Sequence, residues 1–255
     1  MITIKKPEEI AILREGGKRH AEILRQVAAA VAPGATAAAL NTLAEKLIKE
    51  SGDEAAFLGY TPRGARRPYP AGLCVSVNEE VVHGIPNEQE KILREGDIVS
   101  LDLGLRHDDL FTDSAITVPV GKIDPAAEKL IETTKNALAI GIGAACGGGH
   151  IGDIGAAIEK FVKPLGYGIV RDLAGHGVGY AIHESPFVPN FGKKGKGEKL
   201  LPGMVLAIEP MLNEGTEKVI LDNDGYTYRT ADGKRSAHFE HTIVITDSGA
   251  EILTQ

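Results

Sequence analysis

Four acidic residues fall where a sheet has little use for charge: Asp102 and Asp113 in GDIVSLDLGLRHDDLFTDSAITVPVG, Glu209 in PGMVLAIEP, and Glu240 in HFEHTIVIT. Any one of them alone reads most simply as an exposed strand or edge residue. Together they do not, because each lies in an apolar run where a charge needs a partner. The stretch 96–121 reads as two strands joined by a tight polar turn, with Ile98, Leu101 and Leu103 followed by Phe111, Ile116 and Val118. With the turn centred between His107 and Asp108, Asp102 and Asp113 face each other across the strands at about 5 Å. Like charges so placed repel, and a metal ion between them is the economical answer.

The arrangement recurs. Glu209 follows Gly203 by six residues as Asp102 follows Gly96, and Glu240 in FEHTIVIT stands as Asp113 does in FTDSAITV. HGIP from His83 is echoed by HESP from His183, and helical patterns precede both. A repeat of about a hundred residues implies two similar halves, 1–121 and 122–255, packed about a pseudo-two-fold axis with their acidic strand faces meeting in the middle. No linker is long or polar enough to divide the chain, so residues 1–255 are read as one α/β domain. His176, in the glycine-rich AGHGVGYAIHESP, joins the acids in a set of four carboxylates and one imidazole. Such a set suits Mn, Fe, Co or Zn, and two ions fit it better than one. Glycines beside His176 and His183 let backbone and ligand approach closely.

The elements that must position these residues follow from pattern. Pro7 to Val31 reads as a helix with Pro7, Glu8 and Glu9 in its first turn and Ile10, Leu13, Leu24, Val27 and Val31 on one face. Thr36 caps a second helix, with Leu40, Leu43, Leu47 and Ile48 as its stripe and Gly52 as its stop. FLGYTPRGARRPY is a basic loop, and Cys74 to Val82 alternates as one strand leading to His83. Helices from Pro125 to about Ala145 and from Asp153, as cap, to about Leu165 precede short strands around 167–170. A lysine-rich loop runs from Lys193 to Lys199. Asn223-Asp224-Gly225 marks a hairpin turn, and a closing strand spans His238 to Thr246. On that strand His238 shares the face of Glu240, a candidate to line the site, whereas His241 points away.

Composition narrows the classes. The 255 residues are 43% hydrophobic and 25% charged, ordinary for a globular protein, and 28 basic against 35 acidic residues give a net charge of -7, which argues against a nucleic-acid platform. No apolar run suits a secretion signal or a membrane span, and two cysteines, Cys74 and Cys146, make no disulfide framework. The expectation is a cytoplasmic protein with reduced thiols and no DNA or membrane partner.

The motifs VVHGIP, DIVSLDLG, TDSA, AGHGVG, HESP, AIEP and FEHTIVIT, spread from about Lys5 to Leu253, together resemble the type I methionine aminopeptidases. The resemblance implies the α/β pita-bread fold of that family and two divalent ions, with Co, Mn, Fe, Zn and Ni all eligible. It implies that Asp102 is a bidentate ligand of one ion, that Asp113 and Glu240 bridge the pair, and that His176 and Glu209 complete the second. A hydroxide held between the ions would attack the first peptide carbonyl, with Glu209 as proton shuttle, His183 bonding the oxyanion and His83 the peptide nitrogen. The substrate would be the N-terminal methionine of a nascent chain with a small second residue. Its side chain would enter a pocket formed by Tyr60, Tyr69, Cys74, Phe57 and Tyr226.

Phe57, Ile182 and Tyr226 stand where the family often has cysteine, phenylalanine and tryptophan, and the loop from Tyr60 to Tyr69 is longer than usual. Two other readings share the fold. A proline-directed peptidase usually carries an extra N-terminal domain, and a metal-free binding module would have lost ligands that are all present here. The interval of 33 residues from His176 to Glu209 is too short for the helical insertion of the second type. Lys193, Lys194, Lys196 and Lys199, with Arg63, Arg66 and Arg67, could flank the mouth of the site and hold phosphate in a transient ribosome contact. The expected state is a monomer, and His20, His107, His150, His238 and His241 carry no assigned role.

Overall fold

The computed structural model describes residues 2–62 and 64–255. A nine-stranded antiparallel sheet forms the centre, in the order Glu54–Ala55, Ile98–His107, Leu110–Pro119, Glu240–Thr246, Val205–Ile208, Gly175–Gly177, Glu184–Val188. Leu73–Val77 also pairs with Ile98–His107, and Gly249–Ile252 with Glu240–Thr246. The hairpin Ile98–His107 and Leu110–Pro119 therefore lies beside strands from the other end of the chain.

Period-two alternation sorts the faces. Val99, Leu101, Leu103 and Leu105 pack with Ile23, Leu24, Val27, Leu40 and Ile48 of helices Pro7–Ala29 and Ala37–Ser51. Leu206, Ile208, Ile243 and Ile245 pack with Leu130, Leu138, Ile154 and Ile158 of helices Pro125–Ala144 and Ile151–Val162. The alternate residues, among them Asp102, Asp113 and Glu240, face the other way.

The helices begin and end where local chemistry directs. Thr36 accepts from the Ala39 amide at 3.1 Å, and Gly52 ends its helix at φ +81°. The fourth helix starts at Ile151, two residues before the expected cap. Asp153 lies inside the first turn and accepts from the backbone N–H of His150 at 2.8 Å, so His150 is the capping position.

Three strand expectations are corrected. The hairpin turns on Asp108 and Asp109, both left-handed (φ 44° and 66°), with His107 paired to Leu110. Such a two-residue turn matches the twist of the strands, and aspartate tolerates the conformation. Asp102 thus lies opposite Ala115, and Asp113 opposite Gly104, so the two acids are diagonal neighbours. The strand expected over Cys74 to Val82 is two, Leu73–Val77 and Glu80–Val82, because Asn78 turns left-handed (φ 52°) and ties its side chain to Asp97 and the Ile98 amide. The closing strand breaks at Phe239. Ser236–His238 belongs to a three-stranded sheet with Met211–Asn213 and Gly168–Ile169, and Glu240–Thr246 to the large one.

Candidate metal centre and substrate pocket

Cross-strand rows bring the acids together. Cys74, Asp102, Ala115 and Glu240 are successive partners across four strands, and Ala115, fully buried and small, leaves room between the two carboxylates. One step along, Thr242 Oγ1 accepts from the Asp113 amide at 2.8 Å and donates to its carbonyl at 2.7 Å, fastening the strand of Asp113 to that of Glu240. Ala207 lies opposite both Thr242 and His176.

Ligand atoms of Asp102, Asp113 and Glu240 lie within 4.8 Å of one another, and so do those of His176, Glu209 and Glu240. Two triads thus share Glu240. His176 Nε2 stands 3.7 Å from Asp113, 3.5 Å from Glu209 and 4.0 Å from Glu240. Its Nδ1–H donates to the Gly177 carbonyl at 3.0 Å, which leaves the Nε2 lone pair directed at the acids. A third triad, Asp113, His176 and His183, puts His183 within ligand range as well. The glycines flanking His176 serve strand packing: a Cβ on Gly175 would meet the Ala207 carbonyl, and one on Gly177 the Ser185 carbonyl, both at 2.3 Å.

Burial, opposed by the nearby His238 and reinforced by Glu209, pushes the Asp102 carboxyl up to about 7. Burial pushes Glu209 up to about 8, and Asp113 and Glu240 are raised well above the usual range by burial and mutual repulsion. Asp102 Oδ1, Asp113 Oδ1 and Glu240 Oε1 are buried without a hydrogen-bond partner. Orphaned carboxylate oxygens converging on one space, with one imidazole nitrogen aimed among them, fit divalent cations.

The expected pocket residues also meet. Phe57, Tyr60, Tyr69, Cys74 and Tyr226 line a cavity of about 80 Å³ together with His83, His183 and Pro62. Tyr69 packs edge-on against Tyr226 at 5.1 Å and against Phe57 at 6.4 Å. Gly104 admits this closure, since a Cβ there would lie 2.8 Å from Phe57 and 3.0 Å from Ile182. His83 and His183 also line an open cleft of about 550 Å³ with His176, Glu209, Leu173 and Phe187, so both stand between the pocket and the acids. Tyr60 Oη lies 2.9 Å from His183 Nδ1. With the hydroxyl donating, Nε2–H is the free donor of His183. Burial and the neighbouring imidazoles of His183 and His238 lower the pKa of His83 to about 4.

Two contacts go beyond what the sequence pattern indicates. Lys5, 3% exposed, places Nζ 2.9 Å from Glu184 Oε2, and Thr3 and the Ala181 amide also donate to Glu184, so the N-terminal segment fastens the loop that carries His183. His238, 1% exposed, reaches to 3.5 Å from Glu209 and 3.9 Å from Glu240. The other unassigned histidines are engaged elsewhere: His20 with Thr112, His107 with Asp53, His241 with Thr254, and His150 at the start of the fourth helix. Lys193, Lys194, Lys196 and Lys199 are exposed, and Lys193 and Lys196 line a groove that shares Ser185 and Phe187 with the cleft. Arg67 is held by Glu88 at 2.8 Å, Arg66 is exposed, and Arg63 lies outside the described residues.

Residues 11–247 match the model of metallopeptidase family M24. The chain is 45% identical over 258 residues to a methionine aminopeptidase of Aquifex aeolicus, covering all of this chain and 99% of that protein. It is 42% identical to methionine aminopeptidase 1 of Bacillus subtilis, with both chains covered in full. The crystal structure of methionine aminopeptidase from Thermotoga maritima superimposes with a TM-score of 0.95 at 44% identity, again over the full length of both chains. Among the described residues no helix is long and apolar enough to cross a membrane. With its curled antiparallel sheet backed by two helix pairs in the pita-bread arrangement, the chain belongs to metallopeptidase family M24, among its methionine aminopeptidases, and is a metal-dependent hydrolase.

Proposed function

We propose that this chain removes the N-terminal methionine from nascent polypeptides whose second residue is small, using two divalent ions held by Asp102, Asp113, His176, Glu209 and Glu240. The observation that carries this reading is the position of His83 and His183, which border both the apolar pocket and the acidic triads. A methionine side chain in the pocket directs the first peptide bond towards the acids. Bound ions would polarise the scissile carbonyl and lower the pKa of water towards neutrality.

The protein's own groups supply the rest. His183 Nε2–H donates to the oxygen that gains charge, and His83 holds the peptide nitrogen as it becomes an amine. Glu209 moves the proton. Of the acids in the triads it is the one that lines the open cleft, and its side chain is 12% exposed against 3% for Asp113 and Glu240. Because ligands come from both 1–121 and 122–255, the two halves act as one unit, and a monomer suffices. The narrow cavity bounded by Tyr60 and the loop to Tyr69 favours an unbranched side chain, and Phe57, Ile182 and Tyr226 set its shape.

Hydrolysis of Met-Ala-Ser against Ala-Pro-Ala by the metal-loaded protein tests the reading. Release of methionine from the first with the second left intact is expected. Cleavage of Ala-Pro-Ala would make the chain a proline-directed peptidase, and hydrolysis of neither would leave a binding module.

A further inference from the structure

We propose that His238 is a positioning residue for Glu209: its Nε2–H donates to Glu209 Oε2 and holds the carboxylate with Oε1 turned towards His176. The inference rests on the metal-dependent reading of the site and adds a residue to which that reading gives no part.

Glu209 is bracketed by two imidazoles, with His176 Nε2 at 3.5 Å from Oε1 and His238 Nε2 at 3.5 Å from Oε2. His176 directs a lone pair because its own N–H is spent on Gly177. His238 differs. Both of its ring nitrogens are buried without a hydrogen-bond partner, a costly state for an imidazole unless a group within reach completes it. Within 4.0 Å of Nε2 the acidic atoms are carboxylate oxygens of Glu209 and Glu240, at 3.5 and 3.9 Å, and the Asp102 carboxyl also acts on the ring from farther away. A shift of about half an ångström brings the nearer one to ordinary hydrogen-bond length. His238 takes part in neither triad that contains Glu240, which separates it from the residues proposed to hold the ions.

The backbone fixes where the ring originates. Thr117 Oγ1 accepts from the His238 amide at 2.9 Å, donates to its carbonyl at 2.8 Å, and lies 2.8 Å from Ser100 Oγ. All three residues are buried. The ring thus starts from the end of strand Ser236–His238, before the break at Phe239, with its backbone fixed to Thr117 of the strand Leu110–Pro119. Groups that orient a metal-binding carboxylate act on both cation affinity and rate, usually by about 10- to 100-fold.

The test compares His238→Met, which keeps volume and removes the donor, with His238→Gln, which keeps an N–H. Mn binding by calorimetry and hydrolysis of Met-Ala-Ser are measured for both and for the unaltered chain. His238→Met should weaken Mn binding by about tenfold and lower kcat by a similar factor at unchanged KM, and His238→Gln should recover most of both. Unaltered affinity and kcat in His238→Met would overturn the proposal. So would loss of a whole equivalent of Mn in both variants, which would make His238 a ligand. Should His238→Met fail to fold, a His238→Gln protein with impaired Mn binding would overturn it equally. Failure of the unaltered chain to bind Mn would instead sink the metal-dependent reading itself.

Discussion

The acidic chamber and its rim are built in opposite ways. Asp102, Asp113 and Glu240 project from central strands of the large sheet, where register and alternation fix each side chain, and all three are buried. The rim residues His83, His183 and Tyr60 come from segments between strands. His83 is left-handed at φ 59°, and His183 follows a loop held down by Lys5 through Glu184. Loops are where a scaffold tolerates change, and the departures at Phe57, Ile182 and Tyr226 fall at the pocket while the chamber keeps its full donor set. On the proposed reading, chamber and rim divide the labour. Rigid strands concentrate charge that is unfavourable without cations, and the proposed substrate contacts come from looser segments.

Breaking the chamber should have the largest effect. Asp113→Asn or Glu240→Gln removes a charge shared between the triads, and kcat for Met-Ala-Ser should fall at least about 100-fold even in saturating Mn or Co. Near-normal turnover would separate the chamber from the chemistry. Breaking the rim should cost rate and spare the ions: His183→Ala is expected to lower kcat by roughly 100-fold with metal content unchanged. Loss of metal would move His183 among the ligands, where its triad with Asp113 and His176 already permits it.

The chamber also carries a pH signature. Carboxyls whose folded pKa is raised, to about 7 for Asp102 and about 8 for Glu209, favour the folded state while protonated, and that advantage fades as pH rises from the unfolded values near 4 through the folded ones. The metal-free protein should therefore lose melting temperature between pH 5 and 8. Added Mn should restore it most at the upper end, with protons released on binding. A metal-free melting temperature that rises over this range would contradict the raised values.

Smaller effects sharpen the rim. Lys5→Met leaves the half-buried Glu184 without its cation and should cost about 2 kcal/mol in denaturant titration, with kcat falling more than metal affinity. A stability loss with kcat unaltered would leave Lys5 a structural tie alone. Changing Lys193, Lys194, Lys196 and Lys199 to glutamate should weaken salt-dependent cosedimentation with ribosomes and leave peptide cleavage unaltered. Unchanged sedimentation would remove the lysine loop from any docking role.

The chamber was legible because an acid inside a β-branched run is costly to bury without a counter-charge, and helix ends were legible at Thr36 and Gly52 because caps are local. The hairpin register was not. His107-Asp108 and Asp108-Asp109 are both polar turn dipeptides, and the choice rests on which pair turns left-handed, decided by the twist of ten-residue strands on either side. Asn78 hid a strand break for the same reason. Lys5 and Glu184 lie 179 positions apart, so no spacing rule joins them. Alternation gives the face of His238, yet its approach to Glu209 depends on the break at Phe239, where one strand passes from the small sheet to the large one.

The central claim is that the shared acidic chamber holds two ions that act together on a terminal methionine. Stepwise addition of Mn to the metal-free protein, with bound metal and Met-Ala-Ser hydrolysis followed in the same samples, tests it most directly. The account predicts two equivalents bound in the unaltered chain and hydrolysis that depends on them, with Asp102→Asn retaining one. A single equivalent at full activity, with Asp102→Asn indistinguishable from the unaltered chain, would contradict it.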